Sequence, residues 1–262
     1  MKWAMRFSVL ASGSSGNACY VESSGTRLLI DAGLSARETE RRLEQMGIKP
    51  ASLSAIIITH EHLDHIKGAG PLARRYDLPL YINQDTFKNA QKTLGKISRP
   101  VIVRTGEALE INDLVVETFT KCHDAADPVG LIVAVDGIRI GVATDLGRST
   151  RLVEDRLRGC RALILEFNHD AVMLDEGPYP LFLKQRVKGR DGHLSNDQAG
   201  ELLENICDNG LGHLVLAHLS EINNSPDIAY HKAANVLTAC GLRTTEILVS
   251  MQDEAAPMIE LT

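Results

Sequence analysis

Two stretches of the sequence repeat one plan, and this repeat constrains the fold more than any other feature. The first runs from "TRLLIDAGLS" at 26–35 through a helical pattern to "AIIITHEH" at 55–62. The second runs from "IRIGVATDLGRS" at 138–149 through another helical pattern to "ALILEFNHD" at 162–170. Each copy places an Asp-x-Gly at a strand end and polar side chains after a second, apolar strand. The duplication predicts an α/β fold, an αββα sandwich of two pseudo-repeated halves whose loops meet at one edge.

Shorter patterns complete the two halves. The spacing of Ser35 with Glu38, and of Ser195 with Gln198, predicts capping boxes for helices that end at Gly47 and Ile206. Further helices are predicted near 70–76, 84–95 and 148–157. Strands are predicted at 5–12, 18–23, 78–82, 101–104, 109–111, 114–119 and 130–137. Because no linker or charge block interrupts the chain, residues 1–262 are expected to form a single domain.

Composition excludes several classes of protein. The formal charge of −6 argues against a generally basic nucleic-acid coat but leaves room for a local basic patch. Five cysteines, odd in number and without a C-x-x-C pair, fit reduced thiols better than a disulfide framework. No apolar run is long enough to span a bilayer, and Arg6 interrupts the short N-terminal run that loosely imitates a signal peptide. We therefore expect a cytoplasmic protein without membrane contact.

A cluster of metal-competent side chains follows the apolar strand "AIIIT". His60, His62, Asp64 and His65 fall within six positions, and alternation along an extended chain puts His60 and His62 on one side. Taken singly, such histidines are usually surface pairs or buried structural residues. Crowded together at a strand end, they would repel or desolvate one another unless a cation gathered them. The cluster therefore predicts a metal site, with further candidates downstream at His123, Asp145, His169, His193 and His218.

These motifs resemble the metallo-β-lactamase superfamily over essentially the whole chain. The segment "THEHLDH" is similar to its histidine motif, and Asp31, His123, Asp145 and His218 stand where the superfamily has its other site residues. Within the superfamily, "SGSSGN", "EFNHD", "GHLSN" and "LAHLS" most resemble the YycJ/WalJ group, which is described as cytosolic exonucleases that act on DNA in the 5′-to-3′ direction.

The resemblance implies a site with two divalent ions, Zn²⁺ or Mn²⁺, with Fe also compatible with the ligand types. One ion would take His60, His62 and His123, and the other would take Asp64, His65 and His218. Asp145 would bridge them and a metal-bound hydroxide would attack, with Asp64 able to accept its proton. Asp31 would orient a ligand histidine from behind, or would be a simple turn residue before Gly33.

The stretch "LFLKQRVKGRDGHLSN" carries the prediction for the substrate. Its basic residues alternate, which favours an exposed strand or extended loop with one charged face, or simply a solvated surface. His193 could donate a proton to the leaving oxygen, and Ser195 could place a helix N-terminus near a phosphate or act only as a cap. Asn168 and His169 either line the cleft or fix its loop. The candidate substrate-binding residues are Lys184, Arg186, Lys188, Arg190, Ser195, Asn168 and His169.

The resemblance together with this basic stretch favours a dinuclear phosphodiesterase, in particular a 5′-to-3′ DNA exonuclease. The alternative is a small-molecule hydrolase of the same fold that acts on a cyclic phosphodiester or a thioester. A non-enzymatic scaffold is disfavoured because every expected ligand position is filled. The oligomeric state does not follow from the sequence.

Overall fold

A computed structural model describes residues 4–262, which form two seven-stranded sheets with helices on their outer faces. The first sheet has the order β14-β1-β2-β3-β4-β5-β6. Its strands in that order are Ile259–Leu261, Met5–Ala11, Ala18–Ser23, Arg27–Ile30, Ala55–Ile57, Leu80–Asn83 and Pro100–Val103. Strands β3 to β6 are parallel, as the crossover helices between them require, and the remaining pairs are antiparallel.

The second sheet repeats this arrangement with the order β13-β12-β11-β10-β9-β8-β7. Strands β10 to β13 are parallel, and the remaining pairs are antiparallel. The strands in that order are Glu246–Val249, His213–Ala217, Ala162–Glu166, Ile138–Ala143, Val129–Val135, Leu114–Thr120 and Ala108–Ile111. The two halves predicted from the repeat are therefore confirmed as one sheet each.

Nine α-helices of the described chain complete the outer layers, together with a short 3-10 helix at Pro50–Ser52. Helices α1 to α4 belong to the first half and α5 to α9 to the second. None of the helices within residues 4–262 has both the length and the apolar character needed to cross a membrane. The helices are Ala36–Gln45, Leu63–Ile66, Ala69–Tyr76, Gln84–Leu94, Arg151–Leu157, Ala171–Glu176, Leu181–Lys188, Asn196–Ile206 and Pro226–Ala239.

The core lies in three layers, which is the arrangement expected of a four-layer sandwich. Side chains from both sheets, such as Phe7, Ile57 and Val142, form the central layer. Leu29 and Leu72 represent the layer between the first sheet and its helices, and Leu163, Leu203 and Leu237 represent the matching layer of the second half. Strand β4 is buried throughout, which confirms that the apolar run at 55–59 is covered on both faces.

Both predicted helix caps are present, with one difference between them. Ser195 and Gln198 form the full reciprocal capping box at the start of α8. Ser35 accepts a hydrogen bond from the backbone of Glu38, but the Glu38 carboxylate pairs with Arg41 and Arg42 instead of closing the box. All five cysteines are free thiols. Of the N-terminal apolar stretch, residues 1–3 lie outside the described residues and 5–11 form β1.

Candidate metal centre

The seven predicted metal ligands converge at the edge of the sandwich where strands of both sheets end. His60 and His62 follow β4, and the short helix α2 carries Asp64 and His65. From the other half come His123 after β8, Asp145 after β10 and His218 after β12. Parallel strands end at a common sheet edge, which explains why residues far apart in sequence meet here.

The strand-end turns at this edge have an unusual backbone. Asp31, Asp145 and His218 have left-handed φ angles of 56°, 53° and 57°. This conformation is uncommon for residues other than glycine and costs free energy, so it persists where the surrounding structure enforces it. Here it turns each side chain out of the strand direction and toward the cluster.

The glycines of the two Asp-x-Gly motifs serve close backbone packing. A Cβ atom on Gly33 would lie 1.5 Å from the carbonyl oxygen of Asp64, and one on Gly147 would lie 2.3 Å from that of Arg190. No side chain fits at either distance, so both turns require glycine. The repeated motif thus holds the loop that carries Asp64 in one half and the loop before His193 in the other.

Three histidines form the first candidate ligand set. The ligand atoms of His60, His62 and His123 all lie within 4.8 Å of one another. Nδ1 of His62 is 3.2 Å from Nε2 of His123, and the ring centroids of His60 and His62 are 4.7 Å apart. Three imidazole nitrogens at this spacing could bind one divalent ion.

Asp64, His65 and His218 form the second set, also within 4.8 Å of one another. Asp145 lies between the two sets. Its Oδ2 is 3.2 Å from Nε2 of His65, and its Oδ1 is 3.5 Å from Nε2 of His218 and 3.8 Å from Nε2 of His123. A carboxylate in this position could serve both ligand sets at once.

Each candidate histidine has its second ring nitrogen anchored to an oxygen atom. Such anchoring fixes the ring orientation and leaves the first nitrogen facing the cluster, as is usual for metal ligands. The anchoring pairs, with their N···O distances, are His60–Thr59 hydroxyl (3.0 Å), His62–Asp124 carbonyl (3.2 Å), His65–Asp31 carboxylate (2.7 Å), His123–Gly192 carbonyl (3.2 Å) and His218–Glu166 carboxylate (3.0 Å).

The inward-facing atoms make no hydrogen bond of good geometry to the protein, which is the test of whether a cation fits. Nε2 of His60, Nε2 of His218 and Oδ2 of Asp145 are buried and form no such bond among residues 4–262, and the groups nearest to Asp145 are the other candidate ligands, with Nε2 of His65 at 3.2 Å. Buried polar atoms are normally satisfied, and leaving one unpaired costs free energy. Three such atoms pointing at one place fit divalent metal binding, and the imidazole and carboxylate donors are of the right chemical type.

Burial and neighbouring charges shift the pKa values of two pairs of candidate ligand histidines in opposite directions. Burial lowers the pKa of His123 to about 4 and that of His60 well below its ordinary value. Burial acts in the same direction on His65, but the carboxylates of Asp145 and Asp31 outweigh it and raise the pKa to about 10. The pKa of His218 is likewise raised, against burial, by Asp145 and by its bonds to Asp64 and Glu166. In the metal-free protein His60 and His123 are therefore neutral, whereas His65 and His218 hold protons.

Asp31 supports the cluster from behind, as the sequence suggested. Its Oδ2 lies 2.7 Å from Nδ1 of His65, and its oxygens accept hydrogen bonds from the backbone and hydroxyl of Thr59 at 2.8 Å each. Its left-handed φ angle also fits a turn residue before Gly33. Asp31 therefore combines two roles, since it orients the ring of His65 and forms the turn.

Glu166 is the site residue that sequence reasoning missed. It is fully buried, and its carboxylate lies 3.0 Å from Nδ1 of His218 and 2.9 Å from Nδ1 of His193. It also accepts backbone N–H bonds from Asp145, Leu146 and Leu194. Burial would raise its pKa, but the two imidazoles lower it to about 2. The sequence does contain a sign of this role, because Glu166 is a carboxylate within the otherwise apolar "ALILEF". The equivalent position of the first half is Thr59, at the end of "AIIIT".

Asn17 and Lys121 also support the site. The Asn17 amide donates to Oδ2 of Asp64 at 3.2 Å, and its backbone N–H donates to the Asp64 carbonyl at 2.7 Å. In this way the loop at 12–17 positions a candidate ligand. Lys121 is buried and donates to the Thr144 carbonyl beside Asp145. Its ammonium group interacts electrostatically with the carboxylates of Asp145, Asp31 and Glu166.

A cleft of about 260 Å³ opens over the cluster. One wall is formed by Ser14, Asn168, Ser220 and other residues of strand-end loops, and His193 lies between the rings of His123 and His218. The opposite wall comes from α7 and the residues before it, namely Tyr179, Leu183, Arg186 and Val187. The cleft therefore has metal-competent side chains at its base and a cationic side chain on its wall.

The prediction of a strand or extended loop for the basic stretch is wrong. Residues 181–188 form helix α7, because no partner strand is available there and its Leu, Lys, Gln and Arg residues favour helix. Lys184 donates to the carbonyl of Asp175 and Lys188 pairs with its carboxylate, which turns both away from the cleft. Arg190 is exposed. Arg186 alone of the four lines the cleft.

The remaining predicted substrate residues divide between the cleft and its support. Asn168 lines the cleft and donates to the His218 carbonyl at 2.8 Å, so it does both. His169 is buried beside Asn168, and burial lowers its pKa to about 4. Ser195 is buried with its hydroxyl engaged in the α8 cap. The structure favours the capping reading for Ser195 and a supporting position for His169.

Comparison with known proteins defines the class. Residues 26–219 match the family model described as "Beta-lactamase superfamily domain". The chain therefore belongs to the beta-lactamase superfamily and, with its metallo-β-lactamase fold and its ligand set, is a metal-dependent hydrolase.

Particular relatives are more closely similar. Exodeoxyribonuclease YycJ of Bacillus anthracis is 37% identical over 244 residues, 92% of each chain. Exodeoxyribonuclease WalJ of Streptococcus pneumoniae is 36% identical over 267 residues, 98% of each chain. Among solved structures, the metallo-beta-lactamase fold protein YhfI from Bacillus subtilis superposes with a TM-score of 0.74 at 17% identity, over 97% of this chain and 99% of that one. These matches confirm the predicted fold and the resemblance to the YycJ/WalJ group.

Proposed function

We propose that this chain is a dinuclear metal-dependent phosphodiesterase that removes nucleotides from DNA ends. The observation that carries the proposal is the pair of adjoining ligand sets with Asp145 between them, at the base of a cleft with Arg186 on its wall. Two relatives that match nearly the whole chain bear the name exodeoxyribonuclease, which supports DNA as the substrate. The 5′-to-3′ direction is carried over from the YycJ/WalJ group.

In the proposed site, His60, His62 and His123 would hold one ion, Asp64, His65 and His218 would hold the other, and Asp145 would be available to both. Bound Zn²⁺ or Mn²⁺, or Fe, would supply an activated water and neutralise charge on the attacked phosphate. Asp31 and Glu166 keep His65 and His218 in the orientation that binds metal. Residues 1–262 would act as one domain, and the free cysteines support a cytoplasmic location.

His193 is proposed as the group that delivers a proton to the leaving oxygen. It lines the cleft and is one-fifth exposed, and its Nδ1 is held by Glu166 at 2.9 Å, so Nε2 is directed away from that carboxylate. An imidazole oriented in this way can donate from Nε2 while Glu166 stabilises the protonated ring. Asp64, placed in the second ligand set and bonded to Asn17, is proposed to take up the proton of the attacking water.

Arg186 is proposed as the contact for a backbone phosphate. Its Nε lies 2.7 Å from the Asp124 carboxylate at the cleft rim, so a phosphate would exchange places with that carboxylate. Binding through phosphate contacts also predicts an affinity that falls with added salt.

The test is digestion of end-labelled single- and double-stranded DNA with Mn²⁺ or Zn²⁺, beside Asp64→Ala. A strand labelled at its 5′ end should release labelled mononucleotide at the earliest times, while a 3′ label should give a ladder that shortens gradually. Arg186→Ala should weaken DNA cleavage far more than Lys188→Ala, the matched change on the same helix. Hydrolysis of a small chromogenic phosphodiester without any cleavage of DNA would favour the small-molecule alternative and overturn the proposal.

A further inference from the structure

The wall of the cleft opposite the loops is a thinly packed helical segment. It consists of α6 and α7, between β11 and α8, and Leu174 is the buried residue of its two helices. Every residue of α7 is at least partly exposed. One stripe of α7, formed by Leu183, Arg186 and Val187, faces the cleft. The segment thus presents side chains to whatever occupies the cleft.

Phe182 on this helix is exposed in a way that folding does not explain. The sequence has five phenylalanines. Phe7, Phe119 and Phe167 are at most 1% exposed, and Phe87 packs against the core of the first half. Phe182 is 72% exposed. A large aromatic ring left in water on a helix that lines a cleft is typical of a binding surface.

Helical geometry places this ring beside the phosphate contact. At about 100° per residue, Phe182 is only about 40° from Arg186 around the axis and one turn below it. Tyr179, three residues earlier, also lines the cleft. Leu181 is 70% exposed but lies about 140° from Arg186, on the other side of the helix. The ring therefore stands beside the cleft-lining Arg186 on the surface of α7, one turn away along the helix.

We propose that Phe182 stacks on an unpaired nucleobase of the DNA strand whose phosphate contacts Arg186, so that the substrate is a single-stranded or frayed end. The proposal rests on the nuclease function proposed above. Alternation of a cation and an aromatic ring along a groove suits a single strand, because phosphate and base alternate along it. A base inside a duplex has both faces covered by its neighbours, so stacking on Phe182 requires strand opening.

The kinetic test compares Phe182→Ala with Leu181→Ala, which removes an equally exposed apolar side chain from the other side of α7. Loss of one stacking contact should raise KM for a single-stranded oligonucleotide about tenfold in Phe182→Ala. The ratio of this KM to the KM for a small phosphodiester should rise by the same factor, and Phe182→Trp should restore it. Leu181→Ala should stay within twofold of the wild type on both substrates.

A second readout reports the contact itself. Addition of oligo(dT) to Phe182→Trp should quench tryptophan fluorescence beyond the signal of the unmodified protein, whereas Leu181→Trp should show no added quenching. If the wild type cuts DNA but Phe182→Ala leaves the KM ratio unchanged, the stacking proposal is wrong while the nuclease function stands. A change in oligomeric state with an unchanged KM ratio would identify Phe182 as a protein contact and likewise overturn it. If the wild type cuts no DNA, the nuclease function itself fails.

Discussion

The two halves of the molecule share a backbone plan but place their supporting carboxylate on different strands. In the first half Asp31, directly after β3, holds His65, and Thr59 beyond β4 donates hydrogen bonds to it. In the second half the support is Glu166, at the end of β11, and it accepts the backbone N–H of Asp145 beyond β10. The hydrogen bond between the two strand ends therefore runs in opposite directions in the two sheets.

This reversal determines which carboxylate faces the cleft. Both oxygens of Asp31 are occupied by Thr59 and His65, so that residue can only support. Because Glu166 takes over the supporting role in the second half, Asp145 is released to face the candidate ligand histidines, with its oxygens 3.2 Å from Nε2 of His65 and 3.5 Å from Nε2 of His218. Two halves with the same backbone plan thus form one site in which the equivalent aspartates have different roles. Substitution of these residues tests this difference.

The largest effect is expected at Asp145, and the matched change at the other strand-end aspartate, Asp31, provides the comparison. Asp145→Asn should lower hydrolysis of a small phosphodiester by on the order of 10³-fold or more, because it weakens a contact to both proposed ions. Asp31→Asn should cost much less, since this side chain acts only through His65. Steady-state kinetics with metal analysis of the purified variants would check this. Equal losses for the two variants would show that the halves are not functionally distinct.

Glu166→Gln should lower metal affinity by about 10- to 100-fold, because an amide has no negative charge and only one acceptor oxygen where the carboxylate holds the rings of both His218 and His193 and accepts three backbone N–H bonds. Competition with a chromogenic chelator measures the affinity. The matched control is Glu22→Gln, which removes another buried carboxylate, paired with Arg6 and Arg27 away from the cleft. If both changes reduce metal affinity alike, Glu166 acts through general stability and not through the histidines.

Asp31→Asn should lower metal affinity by about tenfold, toward the lower end of the range for supporting residues. It holds one imidazole, whereas Glu166 holds two. Combined with Glu166→Gln, the losses should be roughly additive, because the two carboxylates act on different histidines. Titration of the double variant checks the point, and strong non-additivity would mean that the two supports are coupled through Asp145.

Metal uptake should release protons, and the source should be the second ligand set. The pKa of His65 is raised to about 10 and that of His218 also lies above its ordinary value, while those of His60 and His123 are lowered. Since metal binds deprotonated imidazole, apparent affinity should fall as pH drops from about 10 toward 7. Calorimetry in buffers of different ionisation enthalpy would count the protons released. Proton-neutral uptake at pH 8 would contradict the assignment.

The same groups give the metal-free protein a defined pH dependence of stability. The folded pKa of His65 lies above the unfolded value of 6.5, so its contribution is fully present below pH 6.5. That contribution is lost as pH rises through about 10. After removal of metal with a chelator, the free energy of unfolding should therefore decline between pH 6.5 and about 10. Urea unfolding at several pH values would measure the decline.

The smallest expected effect separates the two helix caps. Ser195→Ala should destabilise the protein by about 1 kcal/mol, because it breaks a reciprocal capping box. Ser35→Ala should cost somewhat less, since only one arm of that cap is present. Urea unfolding gives both values. A large rise in KM for DNA in Ser195→Ala, without loss of stability, would return Ser195 to the substrate-binding residues.

Much of the fold could be predicted because its signals are local. The continuous apolar runs at 55–59 and 162–167, and the helical pattern that precedes each of them, depend on residues close in sequence. The crowding of His60, His62, Asp64 and His65 likewise predicted a metal site from a single segment. The basic helix was misread because alternate charges at 184–190 fit an extended strand as well as an exposed helical surface, and the missing partner strand is not a local property.

By itself, the sequence determined the α/β duplication, the strand ends that carry polar residues and the chemical type of the ligands. Only the tertiary structure decided which carboxylate faces the cleft and which stands behind it. Asp31 and Asp145 occupy equivalent turns with nearly equal φ angles, and their roles differ because Thr59 donates where Glu166 accepts. A hydrogen bond between two strand ends is a long-range contact, so its direction is fixed only when the sheets have formed.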